Sequence, residues 1–157
     1  MEVTPKLPLT LEERIPLGTE LRITASWDEF LEWLSKCEYR IEYNAGEIIS
    51  FMDYASEEHE ILAANIAYLL RTVLEDRYKI AGSNLALSFS GFDKKYYNAD
   101  CTVIEGKSER MILSANMHAI TNPKLIVEVL SSSTVDRYWI KRDSISPNCK
   151  SRTITFY

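Results

Sequence analysis

Lys124-Leu125-Ile126-Val127-Glu128-Val129-Leu130 is apolar at every position except its first and its fifth. Asn122-Pro123 precedes it, and proline pushes the residue before it out of helical backbone. A continuous apolar run bounded in this way reads as a strand buried on both faces. Glu128 is the exception inside it. A carboxylate in such a strand loses solvation at a cost of several kcal/mol unless it is paired, protonated or metal-bound. Asp100 is a second carboxylate of this kind, heading the run Cys101-Thr102-Val103-Ile104. Two carboxylates on separate strands can converge on one hard cation through their oxygens. The plainer reading is an Asp at one strand's entry and a Glu at another strand's edge.

Outward from this strand, the pattern alternates between helix and sheet. Ser26 reads as an N-cap with Asp28 and Glu29 in the first turn, followed by the apolar positions Phe30, Leu31, Trp33 and Leu34. A hairpin follows: Tyr39 to Tyr43, a three-residue connection Asn44-Ala45-Gly46, then Glu47 to Phe51. The clearest helix is expected from Ser56 to Asp76, where Ile61, Leu62, Ile66, Leu69, Leu70 and Val73 recur at three- and four-residue steps. Strands are expected at Tyr78 to Ala81, Leu85 to Phe89 and Tyr97 to Ile104, with a last short one from Thr153 to Tyr157. Residues 107–122 carry no readable period. Residues 1–24, with Pro5, Pro8 and Pro16, read as an extended or loosely docked arm ahead of a single domain over 25–157. Strands interleaved with two helices give an α/β layered domain.

Composition narrows the function. At 157 residues and 46% hydrophobic, the chain holds one core. Its formal net charge is -5, the wrong sign for the counterion release that drives phosphate-backbone binding, so a nucleic-acid contact needs a local basic patch or a metal. The densest basic cluster is Arg137, Lys141, Arg142, Lys150 and Arg152, whose plainer reading is a solvated polar end. Cys37, Cys101 and Cys149 are odd in number and lack CxxC spacing, which argues against a disulfide framework or zinc site. The first residues lack a signal peptide's apolar run, and no stretch approaches the roughly 20 apolar residues of a membrane span. The expectation is a cytoplasmic protein with no membrane partner.

Several blocks, in order, carry a resemblance. They are Tyr39-Arg40-Ile41-Glu42-Tyr43 with Gly46-Glu47; Glu58-His59; Gly82-Ser83-Asn84; Asn98-Ala99-Asp100 with Val103; and Ala119-Ile120-Thr121-Asn122-Pro123 running into Leu125 to Thr134. Over about 25–134 the chain resembles the Uma2 family within the PD-(D/E)xK nuclease superfamily. The resemblance implies a restriction-endonuclease-like fold, a mixed β-sheet flanked by α-helices, with Mg²⁺ or Mn²⁺ held by Asp100 and Glu128 and hydrolysis of phosphodiester bonds. Glu42 and His59 fall on the acidic and histidine positions that precede these ligands. His59 would be a ligand, a proton carrier or an orienting group. A surface ion pair with Arg40 is the plainer reading of Glu42.

The chain departs from the family pattern at three places. Ala99 stands where a proline precedes the motif Asp. Leu130 stands where the E-x-K motif has its lysine. From about residue 135 the tail does not follow the family, an altered or truncated end, and Lys141 is the lysine that remains after the Ser-Thr segment. Lys124 shares the face of Glu128 but lies about 13 Å away along a strand. The resemblance therefore implies a metal-dependent endonuclease with Asp100, Glu128, Glu42, His59 and Lys141 as its site, acting on nucleic acid, DNA ahead of RNA. The alternative is a catalytically degenerate domain that keeps the fold as a binding or assembly module. A homodimer is expected by superfamily analogy.

Overall fold

A computed structural model of the chain describes residues 7–52, 55–89 and 94–130, and the backbone of 152–156. In chain order the elements are α1 (Leu11–Arg14), a 3₁₀ turn (Ile15–Leu17), β1 (Glu20–Thr24), α2 (Trp27–Leu34), β2 (Glu42–Asn44), β3 (Glu47–Phe51) and α3 (Glu57–Val73). There follow β4 (Tyr78–Gly82), β5 (Ala86–Phe89), β6 (Lys95–Asn98), β7 (Cys101–Glu105), β8 (Arg110–Ser114), β9 (Met117–Ile120), β10 (Leu125–Val129) and β11 (Arg152–Phe156).

The strands form two sheets. Seven run in the order β1-β3-β2-β6-β5-β9-β8, and four in the order β11-β10-β7-β4. Both sheets are mixed: β5 with β9 and β10 with β11 are parallel, and the other pairs are antiparallel. Side-chain alternation assigns each face a neighbour. On the outer face of the larger sheet, Ile23, Tyr43, Ile48 and Tyr96 enclose Phe30 of α2. The inner face presents Leu87, Phe89, Tyr97 and Ile120, which meet Ile104 and Ile126 of the smaller sheet. The far face of the smaller sheet, with Cys101, Val127 and Val129, lies under Leu62, Ala63, Ile66, Ala67 and Leu70 of α3. The layers are thus helix, sheet, sheet, helix, which is the mixed sheet flanked by helices that the sequence implies. Both faces of β10 are buried, which explains its unbroken apolar run.

Local chemistry sets the helix ends. Ser26 caps α2 with a reciprocal box: its Oγ accepts from Glu29 N at 3.3 Å, and Ser26 N donates to Glu29 Oε2 at 2.7 Å. Ser26→Ala removes one half of that box and is expected to cost about 1 kcal/mol, seen as a lower urea midpoint at unchanged slope. Ser56 caps α3, its Oγ accepting from His59 N at 3.2 Å, with Glu57, Glu58 and Glu60 in the acid-favouring first turn. The helix stops at Val73, short of the expected Asp76. Leu74 is extended, and Glu75 and Asp76 would set negative charge at the negative end of the helix dipole.

Three further expectations are corrected. The hairpin connection has two residues. Asn44 pairs with Glu47 in the ladder, and Ala45 and Gly46 take the turn with φ of 48° and 96°. Paired left-handed residues match the twist of the flanking strands, so the turn is made even with Ala in a conformation it disfavours. The strand expected over Tyr97 to Ile104 is two strands in different sheets, with the chain crossing from one to the other at Ala99-Asp100. The lead-in is integral from Leu7 onward: Leu7 and Arg14 are buried, and β1 is the edge strand of the larger sheet. Among the described residues no helix is long and apolar enough to cross a membrane.

Candidate active site

Strands β7 and β10 pair antiparallel in the register Cys101 with Val127, Thr102 with Ile126, and Val103 with Leu125. One residue before the Cys101–Val127 pair, Asp100 lies just outside the ladder. The corner at Ala99-Asp100 is what leaves Asp100 there. The ladder ends, and the Asp100 carboxylate takes over from the missing backbone acceptor, its Oδ2 accepting from Val129 N at 2.7 Å. Glu128 alternates with Val127 and Val129, so it lies on the Ile126 side, in the seam between the two sheets, and is 7% exposed.

The third member comes from α3. The Ser56 cap puts His59 in the first turn, over the end of β7. Its Nε2 is 3.4 Å from Asp100 Oδ2, and the two side chains are only 16% and 18% exposed. Its Nδ1 is 3.7 Å from Glu60 Oε1 and makes no hydrogen bond among the described residues. The ring thus lies against the Asp100 carboxylate at ion-pair distance. Cys101 turns the other way, under α3. Burial raises its thiol above the ordinary cysteine value, consistent with packing and not with a nucleophile.

The remaining sequence candidates fall elsewhere. Glu42 is on β2 of the larger sheet and is buried, not at the surface, and Arg40 donates to Asn84 Oδ1 at 3.3 Å. Tyr43 pairs with Tyr96, so one step along Glu42 faces Tyr97, on the inner side of its sheet. Its charge joins burial in raising the Tyr96 phenol, which Arg40 opposes. Lys124 is engaged at the far end of β7, 3.0 Å from Glu105 Oε2, and holds that carboxyl below its usual value. Lys141 lies outside the described residues.

Lys95 was not singled out by the sequence. It is buried on β6 and shares the inward face with Tyr97. Its signal is faint: a lysine at one end of Lys95-Tyr96-Tyr97-Asn98 reads as the exposed partner of an alternating strand.

Whether a cation suits this place depends on the donors. Among the described residues no three His, Cys, Asp and Glu side chains gather around one point. Asp100 and Glu128 are hard oxygen donors, the chemistry that Mg²⁺ or Mn²⁺ takes. Such ions take one or two carboxylates and fill the rest of their octahedron with water and phosphate oxygens.

Two mixed sheets packed face to face, with a helix laid over each outer face, define a layered α/β fold. The crystal structure of a "putative nuclease" from Anabaena variabilis has this fold, with a TM-score of 0.57 and 16% identity over 80% of this chain and 73% of that one. The Uma2 family model, described as "Putative restriction endonuclease", matches residues 27–144, and the chain belongs to that family. An uncharacterized protein of Synechocystis is 34% identical over 106 residues, which is 67% of this chain and 58% of that protein. The chain therefore matches less than two thirds of that relative's length.

Proposed function

We propose that the chain is a metal-dependent endonuclease that hydrolyses phosphodiester bonds in nucleic acid, DNA before RNA. The observation that carries this reading is Asp100 just beyond the end of the β7 ladder, its Oδ2 2.7 Å from the backbone N of Val129, the neighbour of Glu128, and 3.4 Å from His59 Nε2. Largely buried carboxylates carry a desolvation cost, which a cation would offset further. Asp100 and Glu128 would hold Mg²⁺ or Mn²⁺, and the ion when bound supplies Lewis-acid polarisation of the phosphate and a more acidic water. His59 orients Asp100 and exchanges protons at Nδ1. Glu42 adds negative charge from the inner face of the larger sheet. Lys141 supplies the cation that Leu130 does not, steadying charge that develops on the phosphate.

The test is plasmid nicking with Mn²⁺ or Mg²⁺, run beside Lys141→Ala and Lys95→Met. Cleavage is expected with either ion, is expected to stop on chelation, and is expected to fall by about a hundredfold or more in Lys141→Ala. Loss in Lys95→Met alone would transfer the role to Lys95. Leu130 and the net charge of -5 favour a second reading, a binding or assembly module without chemistry. DNA retained on a gel, with no ion bound and no strand cut, would establish it in place of the first.

A further inference from the structure

Two stretches of chain cross from one sheet to the other side by side. Residues 83–85 lead from β4 to β5, and residues 99–100 lead from β6 to β7. The two crossings are paired at both ends: Gly82 with Cys101 in the smaller sheet, and Ala86 with Asn98 in the larger. Asn84, midway along the first crossing, therefore runs beside the corner that carries Asp100. Arg40, on the approach to β2, reaches this place from the larger sheet and donates from Nη2 to Asn84 Oδ1 at 3.3 Å. Burial raises the Tyr96 phenol and the charge of Arg40 opposes it, so the guanidinium is within electrostatic reach of β6, the strand that leads into the corner. His59 reaches the same corner from α3. Arg40 and Asn84 are both exposed, which puts the guanidinium at the solvent rim of the candidate site.

The acceptor that holds Arg40 is neutral. Arg22, Arg77 and Lys124 lie instead against glutamates. A carboxylate would cancel charge, whereas an amide oxygen orients the fork and leaves its charge and its other donors to an outside anion. A phosphodiester strand laid across Asp100 brings further phosphates on either side of the one at the ion, and the net charge of -5 repels each of them. A planar guanidinium takes two phosphate oxygens at once, so it fixes a strand as well as attracting it. Given the nuclease reading proposed above, we infer that Arg40, oriented by Asn84, grips a backbone phosphate next to the one that is cut and so sets where the strand lies across the site. Arg40 is a substrate-positioning residue and does no chemistry at the scissile bond.

Fluorescence anisotropy of a labelled DNA duplex, titrated with the full chain in Ca²⁺ over a range of salt, tests it beside Mn²⁺-dependent cleavage. Arg40→Gln is expected to weaken binding about tenfold and to flatten the slope of log affinity against log salt by about 0.9, the share of one phosphate contact. In cleavage, KM is expected to rise by about the same factor, with kcat and Mn²⁺ affinity unchanged. Arg40→Lys is expected to restore the salt slope without the full affinity, because the charge returns and the fork does not. Arg22→Gln removes the same charge where Glu20 and Glu47 already offset it, and is expected to behave as wild type. An unchanged slope in Arg40→Gln, or an equal loss in Arg22→Gln, overturns the contact, and a wild type that still cuts DNA keeps the nuclease reading without it. A fall in kcat alone would put Arg40 on the scissile phosphate and overturns it too. A wild type that binds DNA and cuts nothing overturns the nuclease reading instead, and the salt slope then decides Arg40. A wild type that neither binds nor cuts overturns both.

Discussion

Asp100→Asn is expected to weaken Mn²⁺ binding by about a hundredfold or more and to remove cleavage, because a hard cation loses one of its two carboxylates. The substitution is close to isosteric. Its amide oxygen can still accept from Val129 N, whose bond to Asp100 Oδ2 is 2.7 Å in the native chain. That contact changes from charge-assisted to neutral, a difference of about 1 kcal/mol, so the fold is expected to survive with a slightly lower melting temperature. Calorimetric titration beside thermal unfolding separates the two effects. A purely structural Asp100 would lose stability without altering ion binding, and wild type would then bind no better than the variant. His59→Gln refines the result. A ring that orients Asp100 from 3.4 Å without touching the ion is expected to cost about ten- to a hundredfold in affinity when replaced, as outer ligands of metal sites do. A loss as large as that in Asp100→Asn would make His59 a direct ligand.

The two carboxylates were legible because the strands around them were not polar: Glu128 stands alone in an apolar run, and Asp100 opens another. The corner at Ala99-Asp100 was not legible, because no Gly or Pro marks the break and β-forming residues lie on both sides, so that periodicity runs on across it. Helix α3 was legible as a helix, but its faces were not. Ile61, Leu69 and Val73 fit the core period as well as Leu62, Ile66 and Leu70 do, and only packing separates the buried stripe from the exposed one. Residues 107–122 hid the β8–β9 hairpin because it is an edge: the exposure of Ile112, at 82%, breaks the alternation a buried strand would show. Buried Lys95 and Arg14 were missed for a common reason. A charged residue reads as solvent-facing until the groups that satisfy it are known, and for Arg14 two of the three acceptors belong to Ser50, on another strand.

Arg14→Ala is expected to cost about 3–5 kcal/mol, as buried hydrogen-bonding groups left unsatisfied and a cavity together do. The side chain is 0% exposed. Its Nε donates to Ser50 Oγ at 3.0 Å, its Nη2 to Ser50 O at 2.8 Å, and its Nη1 to Gly18 O at 2.6 Å. One fork thus ties the first turn of the chain to β3 and to the glycine that starts the approach to β1. Gly18 itself has φ of 91°, which a side chain would oppose, so the bend cannot readily shift to meet a shorter residue. Alanine leaves the buried hydroxyl and carbonyl of Ser50 without their donor, frees the part-buried carbonyl of Gly18, and opens a void where the guanidinium lay. Lysine keeps the charge but not the planar fork, and it can serve only part of the set, so an intermediate loss is expected. Urea unfolding at neutral pH measures both. The decisive quantity is whether the loss appears in one cooperative transition. A drop of several kcal/mol in a single transition means that residues 7–24 fold with the sheets. A loss below about 1 kcal/mol, the range of a surface substitution, would mean that the lead-in opens on its own, and β1 would then be an edge the sheet does not need.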